Sequence, residues 1–148
     1  MSILVINGRS FSPFSEAFNN GQALPGVYYA VPPFGSPPRE GAPEYEEIAV
    51  KFPGVPGVAF KRLAPFGPRP IKVELIFFGP KASNESDRAG LQDSFSQLQR
   101  YTISLPDGPT RQGCRMVQGS GLATSQQAIA GYVALIASFE FRQYSQEN

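Results

Sequence analysis

The sequence contains no histidine, no tryptophan and a single cysteine in 148 residues. Without histidine, the chain cannot form Ser-His or Cys-His nucleophile pairs, a zinc-histidine site, or the commonest general base. The lone Cys114 cannot form an internal disulfide and cannot hold zinc by itself, and its strand-like surroundings predict a buried position. We therefore expect no catalytic residues, no metal site and no cofactor.

Carboxylates are the remaining candidates for acid-base chemistry. The clustered acids are Glu44, Glu46 and Glu47, followed later in the chain by Glu85, Asp87 and Asp93. The first group is typical of solvated residues that precede a strand, and the second of acids near a helix N-terminus. An enzyme that uses carboxylates alone, such as a wall hydrolase, stays open as an alternative.

Strong charge and long apolar runs are also lacking. Thirteen basic and twelve acidic side chains give a formal net charge of +1, and Lys and Arg do not cluster into a basic face. We therefore expect no direct, sequence-specific binding of nucleic acid. The longest apolar stretch, 128–139, is too short to cross a bilayer, and the first residues lack the basic region of a signal peptide. No membrane attachment is expected.

Glycine, proline and aromatic residues are abundant. Fifteen Gly and fifteen Pro interrupt the chain too often for long helices, while twelve Phe and six Tyr favour aromatic-rich strands. With 41% apolar residues, the chain can build one hydrophobic core. We predict a mainly β fold, either a small antiparallel β-barrel or a sandwich, with one α-helix.

Residues 1–46 are predicted to form a strand at 2–7 and then an extended, Pro/Gly-rich arm or loop. Six prolines between positions 25 and 43 prevent a regular strand ladder there. The aromatic side chains of this segment need a surface on which to dock, so we expect them to contact neighbouring subunits. An ordered loop that lies on its own domain is the alternative. The aromatic residues expected to contact neighbouring subunits are Phe11, Phe14, Phe18, Tyr28, Tyr29 and Phe34.

Residues 47–148 are predicted to form the barrel domain. Alternation and turn residues predict strands at 47–52, 58–63, 70–78, 101–105, 112–118 and 130–144. The strand at 70–78 changes from charged to apolar on one face, so one end of it should be covered on both sides by the helix or a partner. A helix is predicted at 84–101, capped by Asn84 or Ser86. A second helix at 124–137 competes with the last strand, because Ala, Gln and Leu are good helix formers.

The predicted core combines alternate residues of two strands with one stripe of the helix. Its members are Ile71, Val73, Leu75, Phe77, Leu91, Phe95, Leu98, Phe139 and Phe141.

Two short motifs carry a family resemblance. The turn 53–57, Pro-Gly-Val-Pro-Gly, lies between two strands and leads through Arg69 into the alternating strand at 71–75. A helix with Leu/Phe spacing follows, and the last strand ends in Phe139-Glu140-Phe141. This order resembles the small β-barrel proteins of tailed-bacteriophage tail tips: distal tail proteins, baseplate-hub ring proteins and the N-terminal domains of DNA circulation proteins. The resemblance covers about residues 47–144, and the Pro-rich segment before residue 47 departs from the pattern.

The resemblance implies a non-enzymatic virion structural protein that forms a sixfold ring where the tail tube meets the baseplate or tail tip. Its partners would be copies of itself, joined by β-pairing and arm exchange, and the tube, hub and baseplate proteins. It would be assembled in the host cytoplasm and located in the phage tail. The alternatives are a tail completion or terminator ring protein, and a β-sandwich module that binds polysaccharide or a host-surface ligand through Tyr28 and Tyr29.

Overall fold

A computed structural model describes residues 3–19, 21–42, 47–62, 68–97 and 100–143. These residues form a mainly β structure with one α-helix, which confirms the predicted fold class. The helix, α1, spans Lys81–Ser96, and a short 3-10 helix spans Phe14–Ala17. The strands are β1 (Leu4–Ile6), β2 (Arg9–Pro13), β3 (Phe18–Asn19), β4 (Gln22–Ala23), β5 (Gly26–Tyr29), β6 (Arg39–Glu40), β7 (Glu47–Val50), β8 (Ala59–Arg62), β9 (Arg69–Gly79), β10 (Tyr101–Ser104), β11 (Thr110–Met116), β12 (Leu122–Ile129) and β13 (Tyr132–Gln143).

Seven of these strands close into a barrel. They are neighbours in the order β13-β11-β10-β1-β2-β5-β9, and β9 pairs with β13 to complete the circle. The closing pair is antiparallel and runs from the Arg69–Gln143 bridge to the Gly79–Val133 bridge, whereas β2 and β5 are parallel. Strands β1, β2 and β5 precede residue 47, so the barrel crosses the boundary that the sequence suggested between an arm and a separate domain.

The remaining strands lie outside the closed circle. β12 pairs with β13 beyond the end of β11, and β6 pairs with β9 beyond the end of β5. Two small sheets, β3–β4 and β7–β8, are separate from the large one. Among the described residues, every barrel strand has a neighbour on both sides, whereas β12, β6 and the strands of the two small sheets each pair on one side only.

The main core fills the barrel and is covered by α1. Alternate residues of β9 and β13 point inward, as the period of an extended strand requires, and are almost fully buried. Leu91 and Phe95 of α1 complete this core, and the Phe95 ring meets the rings of Tyr101, Phe139 and Phe141 edge to face.

A second core covers the outer face of the sheet. The C-terminal half of β9 is buried on both sides, because Ile76 and Phe78 point away from the barrel and are as buried as Phe77. The predicted double coverage is therefore present. The outer cover is the chain's own N-terminal segment, packed around Phe14, rather than the helix or a partner.

The helix begins three residues before the predicted start and ends earlier than predicted. Pro80 occupies the N-cap position in the extended conformation that is usual there (φ −61°, ψ 142°), and no side-chain hydrogen bond caps the first turn. Asn84 and Ser86 are therefore not caps, because both lie within the helix. The Asn84 side chain is buried and Ser86 is exposed. The expected extension to residue 101 is also wrong, because Tyr101 begins β10.

The C-terminal region contains one strand more than predicted. Residues 122–129 form β12, and a two-residue turn at Ala130 and Gly131 reverses the chain into β13. Both turn residues have positive φ, 51° and 83°, which is the pattern of a type I′ hairpin turn. The competing helix at 124–137 is therefore wrong, and the last strand starts at Tyr132 rather than near residue 130.

Candidate interaction surfaces

Strand β12 presents an open edge on the surface of the protein. One side of it pairs with β13, and no other described strand pairs with its opposite side. Residues 122–129 have the sequence Leu-Ala-Thr-Ser-Gln-Gln-Ala-Ile, without a charge, a proline or a glycine, and all except half-buried Ile129 are exposed. Edge strands of soluble proteins are commonly protected by charged residues or proline. This edge has neither protection, so it is a candidate for pairing with another chain.

The hairpin register shows which main-chain groups of β12 face outward. Ile129 and Tyr132 flank the two-residue turn and form the first bridge, so they exchange main-chain hydrogen bonds. Because hydrogen-bonded and non-hydrogen-bonded positions alternate, the N–H and C=O groups of Ala128 and Gln126 point away from β13. A register shift at Thr124 interrupts this alternation nearer the start of the strand. The regular part of the open edge is therefore 125–129.

A depression lies beside the start of β12. Its volume is about 410 Å³, and Leu122 at its margin is 63% exposed. Charged side chains of both signs surround it, with Arg39 and Lys72 opposed by Glu140. The exposed leucine lies next to the open strand edge, which makes this region a candidate docking surface.

The β7–β8 hairpin is the second candidate surface. Within the described part of the chain, these strands contact each other extensively and no other helix or strand to a comparable extent. The connecting residues 51–58 are exposed, and three apolar side chains there expose more than half of their surface: Phe52 (55%), Val55 (56%) and Val58 (52%). We call residues 51–58 the hairpin tip. Exposed apolar residues on an otherwise unsupported hairpin are typical of a segment that docks on a partner.

The aromatic residues expected at subunit contacts lie against the chain's own body. Phe14 is fully buried, and its ring meets the rings of Phe18, Tyr28, Phe34 and Phe78 at centroid distances between 5.1 and 5.9 Å. This arrangement corresponds to the alternative of an ordered loop on its own domain.

Burial limits what these aromatic residues can offer to another subunit. Phe11 and Tyr29 expose only 6% and 5% of their surface, and Tyr28 and Phe34 are half-buried. Phe18, at 36%, is the most exposed of the six, so a contact with a neighbouring subunit stays a prediction chiefly for Phe18. The hydroxyl group of Tyr28 donates to the Leu24 carbonyl at 2.7 Å, which holds the ring against the chain.

The residues predicted for the barrel core lie in the main core wherever the structure describes them. The two inward rows and the helix stripe all lie in the main core, except Leu98, which is outside the described residues. The buried members are Ile71, Val73, Leu75, Phe77, Leu91, Phe95, Phe139 and Phe141.

The sequence reasoning missed one residue that connects the helix to the barrel. Asn84 is 3% exposed, and its amide nitrogen donates to the Gly79 carbonyl at 3.1 Å and the Val133 carbonyl at 2.6 Å. It therefore links the first turn of α1 to both strands of the closing pair. The available signal was a polar residue, Asn84, near the start of a predicted helix. This signal was equally consistent with an N-cap.

One ion-pair cluster joins β6 to the barrel. Arg111 donates to Glu40 through two nitrogens, at 2.9 and 3.0 Å, and Arg69 approaches the same carboxylate at 3.6 Å. The hydrogen bond from Arg111 and the two positive charges hold the pKa of Glu40 below its ordinary value. The nearby Cys114 thiol is fully buried, and burial raises its pKa to about 11. This chemistry is structural, since a thiol with a raised pKa is a poor nucleophile.

The candidate carboxylates do not form a catalytic pair among the described residues. Glu85 pairs with Arg88 on the surface of α1, and Asp93 is exposed on the same helix. Asp87 is the one acid that lines a cleft of about 510 Å³ between α1 and the barrel, whose floor includes Phe11 and Phe77. Glu44 and Glu46 lie outside the described residues.

Within the ranges that the structure describes, no three Cys, Asp or Glu side chains are grouped as they would be to hold a metal ion. Nor does any described helix combine the length and the apolar character that crossing a bilayer requires.

Comparison with solved structures gives an informative likeness. No family model matches the sequence, and no curated protein matches it. A crystal structure of the Dit protein of phage SPP1, described as a paradigm of the hub adsorption apparatus in phages that infect Gram-positive hosts, matches with a TM-score of 0.55 at 16% identity. The match covers 95% of this chain and 49% of the other, so this chain spans about half the length of that structure. This chain has the β-barrel fold that occurs in the distal tail protein of phage SPP1.

Proposed function

We propose that this chain is a structural protein of a phage tail tip, without enzymatic activity, that assembles into a ring with copies of itself. The observation that carries the proposal is the fold: nearly the whole chain follows the barrel of a protein from a phage adsorption apparatus.

The surfaces of the protein support self-assembly by β-pairing. A closed barrel has no edges of its own, so pairing between subunits requires strands that lie outside the circle. This chain has such strands in β12 and in the β7–β8 hairpin, and both carry exposed apolar residues. With a net charge of +1, many copies can gather around one axis without strong repulsion.

Finer parts of the proposal follow from the likeness to a tail hub. The ring would be sixfold and would lie where the tube meets the baseplate or tail tip. Tube, hub and baseplate proteins would be its other partners, and the finished protein would be found in the virion after assembly in the host cytoplasm. A tail completion or terminator ring is the alternative position within the same structure.

Two measurements test the proposal. Light scattering of the purified chain over a concentration series should show a discrete oligomer, and negative-stain images should show closed rings with a central opening. Mass spectrometry of purified phage particles should then detect the chain in a stoichiometry that matches the ring. A chain that stays monomeric at about 1 mM, the level expected for even weak self-association, and is absent from particles would refute the proposal.

A further inference from the structure

We propose that the open edge of β12 in one copy accepts strand β7 of the next copy, so that the subunits join head to tail through an intermolecular sheet. This inference rests on the proposed ring function and adds the identity of the two contacting strands. A closed ring of more than two copies requires two different surfaces, because each subunit must offer one surface to one neighbour and another to the next.

The acceptor follows from the topology. Among the described strands outside the barrel, β6 has two residues, which is too short to direct pairing, whereas β12 has eight. The outward N–H and C=O groups of Gln126 and Ala128 lie in the regular part of that edge. Since β12 carries no charge and no proline, nothing in its sequence prevents another strand from adding to it.

The donor follows from a comparison of the two hairpin strands. β8 ends in Lys61-Arg62, and basic residues are a common protection of edge strands. β7 has the sequence Glu-Ile-Ala-Val, in which only the first residue is charged, and Ile48 and Val50 favour extended structure. The free side of β7 is therefore the unprotected edge of the hairpin, and it matches the uncharged edge of β12.

The same arrangement accounts for the exposed apolar side chains on both partners, the donor hairpin and the acceptor strand. The hairpin tip exposes Phe52, Val55 and Val58, and Leu122 is exposed at the start of β12. Strand addition brings a second chain alongside β12, where tip residues can cover Leu122. Burial of these side chains would favour association in addition to the main-chain hydrogen bonds.

A pair of variants at one position tests the acceptor. Gln126→Pro removes an outward N–H, whereas Gln126→Ala removes the same side chain and keeps the N–H. We expect Gln126→Pro to weaken association about tenfold or more and Gln126→Ala to leave it nearly unchanged. Circular dichroism and thermal unfolding identify a variant that has lost its fold. Hydrogen exchange of the parent gives a second measure, because the Gln126 and Ala128 amides should exchange more slowly in the oligomer than in dilute monomer.

A mixing experiment tests the donor and the head-to-tail order. A variant in which residues 48–61 are replaced by a short Gly-Ser link keeps the acceptor edge and lacks β7. Alone, it should not form rings; mixed with Gln126→Pro, which keeps β7, it should form one-to-one heterodimers in native mass spectrometry.

The outcomes separate this inference from the proposed function. A ring that persists with both Gln126→Pro and the hairpin replacement overturns the strand pairing and leaves the ring function intact. Association that needs Gln126 but not the hairpin shows symmetric pairing of two β12 strands and also overturns the inference. A parent chain that never associates overturns both.

Discussion

The link between α1 and the barrel through Asn84 leads to a strong prediction about stability. Replacement of Asn84 by alanine removes one buried and one partly buried hydrogen bond and leaves the Gly79 and Val133 carbonyls without this donor. The net contribution of one hydrogen bond to the free energy of unfolding is about 0.5–1.5 kcal/mol, and an unsatisfied buried acceptor costs about 1–3 kcal/mol. We therefore expect Asn84→Ala to lower the free energy of unfolding by about 2–4 kcal/mol, and Tm by about 8–15 °C for a chain of this size.

The aspartate variant isolates the donor from the shape of the side chain. Asn84→Asp keeps the size but directs a carboxylate at two carbonyl oxygens, so its charged form is unfavourable in the folded state. Its folded pKa should therefore lie above the unfolded value of about 3.9. The stability deficit relative to the parent should be small below that pH, where the protonated acid can donate, and should grow as pH rises through the folded pKa.

The assay is urea unfolding followed by circular dichroism, at pH 7 and at a series of lower pH values. The matched control is Ser86→Ala, an exposed position on the same helix, which should change the free energy of unfolding by less than about 0.5 kcal/mol. If Asn84→Asp is as stable as the parent at pH 7, or if Ser86→Ala costs as much as Asn84→Ala, the assignment of Asn84 as an internal anchor is wrong.

Four further predictions follow from other parts of the structure. Phe14→Ala should cost about 3–5 kcal/mol in urea unfolding, because Phe14 is the fully buried centre of the second core; a cost below about 1 kcal/mol would mean that the segment is not packed there. Ala130→Asn should raise stability by up to about 1 kcal/mol, since asparagine tolerates the φ of 51° better than alanine; a loss would contradict the turn type. Glu40→Gln should cost about 1 kcal/mol at pH 7, and because the folded pKa of Glu40 lies below its ordinary value of 4.5, this difference should be lost as pH falls below 4.5 and through the lowered pKa. Cys114 should not react with a thiol reagent at pH 8 until the protein is unfolded, and because its folded pKa is raised to about 11, its contribution to stability should be present below pH 9 and lost between about pH 9 and 11.

The strands of the barrel core were the most predictable part of the fold. In β9 and β13, large apolar residues alternate with other residues over many positions. Because successive side chains of a strand point to opposite faces, this alternation identifies the inward face. The fold class followed from the same pattern together with the frequent Pro and Gly residues. These features depend on local sequence, so one sequence was sufficient to predict them.

The errors concern features that distant residues decide. The sequence of β12 consists largely of residues that form helices well, and pairing with β13 through the Ala130–Gly131 turn overrides that preference. Asn84 looked like a cap because its partners, Gly79 and Val133, are brought to it by tertiary structure. For the same reason, the open edge of the candidate site was not predicted.

The N-terminal segment shows a related limit. The outward-facing Ile76 and Phe78 showed that the outer face of β9 must be covered, but the residues that cover it precede these two by about 40 to 65 positions. Periodicity shows that a face must be buried without showing which distant segment buries it.

The pairing of β9 with β13 determines when this protein can fold. The bridged residues are separated by 54 positions at Gly79–Val133 and by 74 at Arg69–Gln143, so the wall of the barrel stays open until nearly all described residues have been synthesised. Contacts between such distant positions slow folding, and the apolar faces of β9 stay accessible in the meantime. Assembly through the proposed strand pairing would therefore begin only after residues 132–143 have been synthesised and have paired with β9.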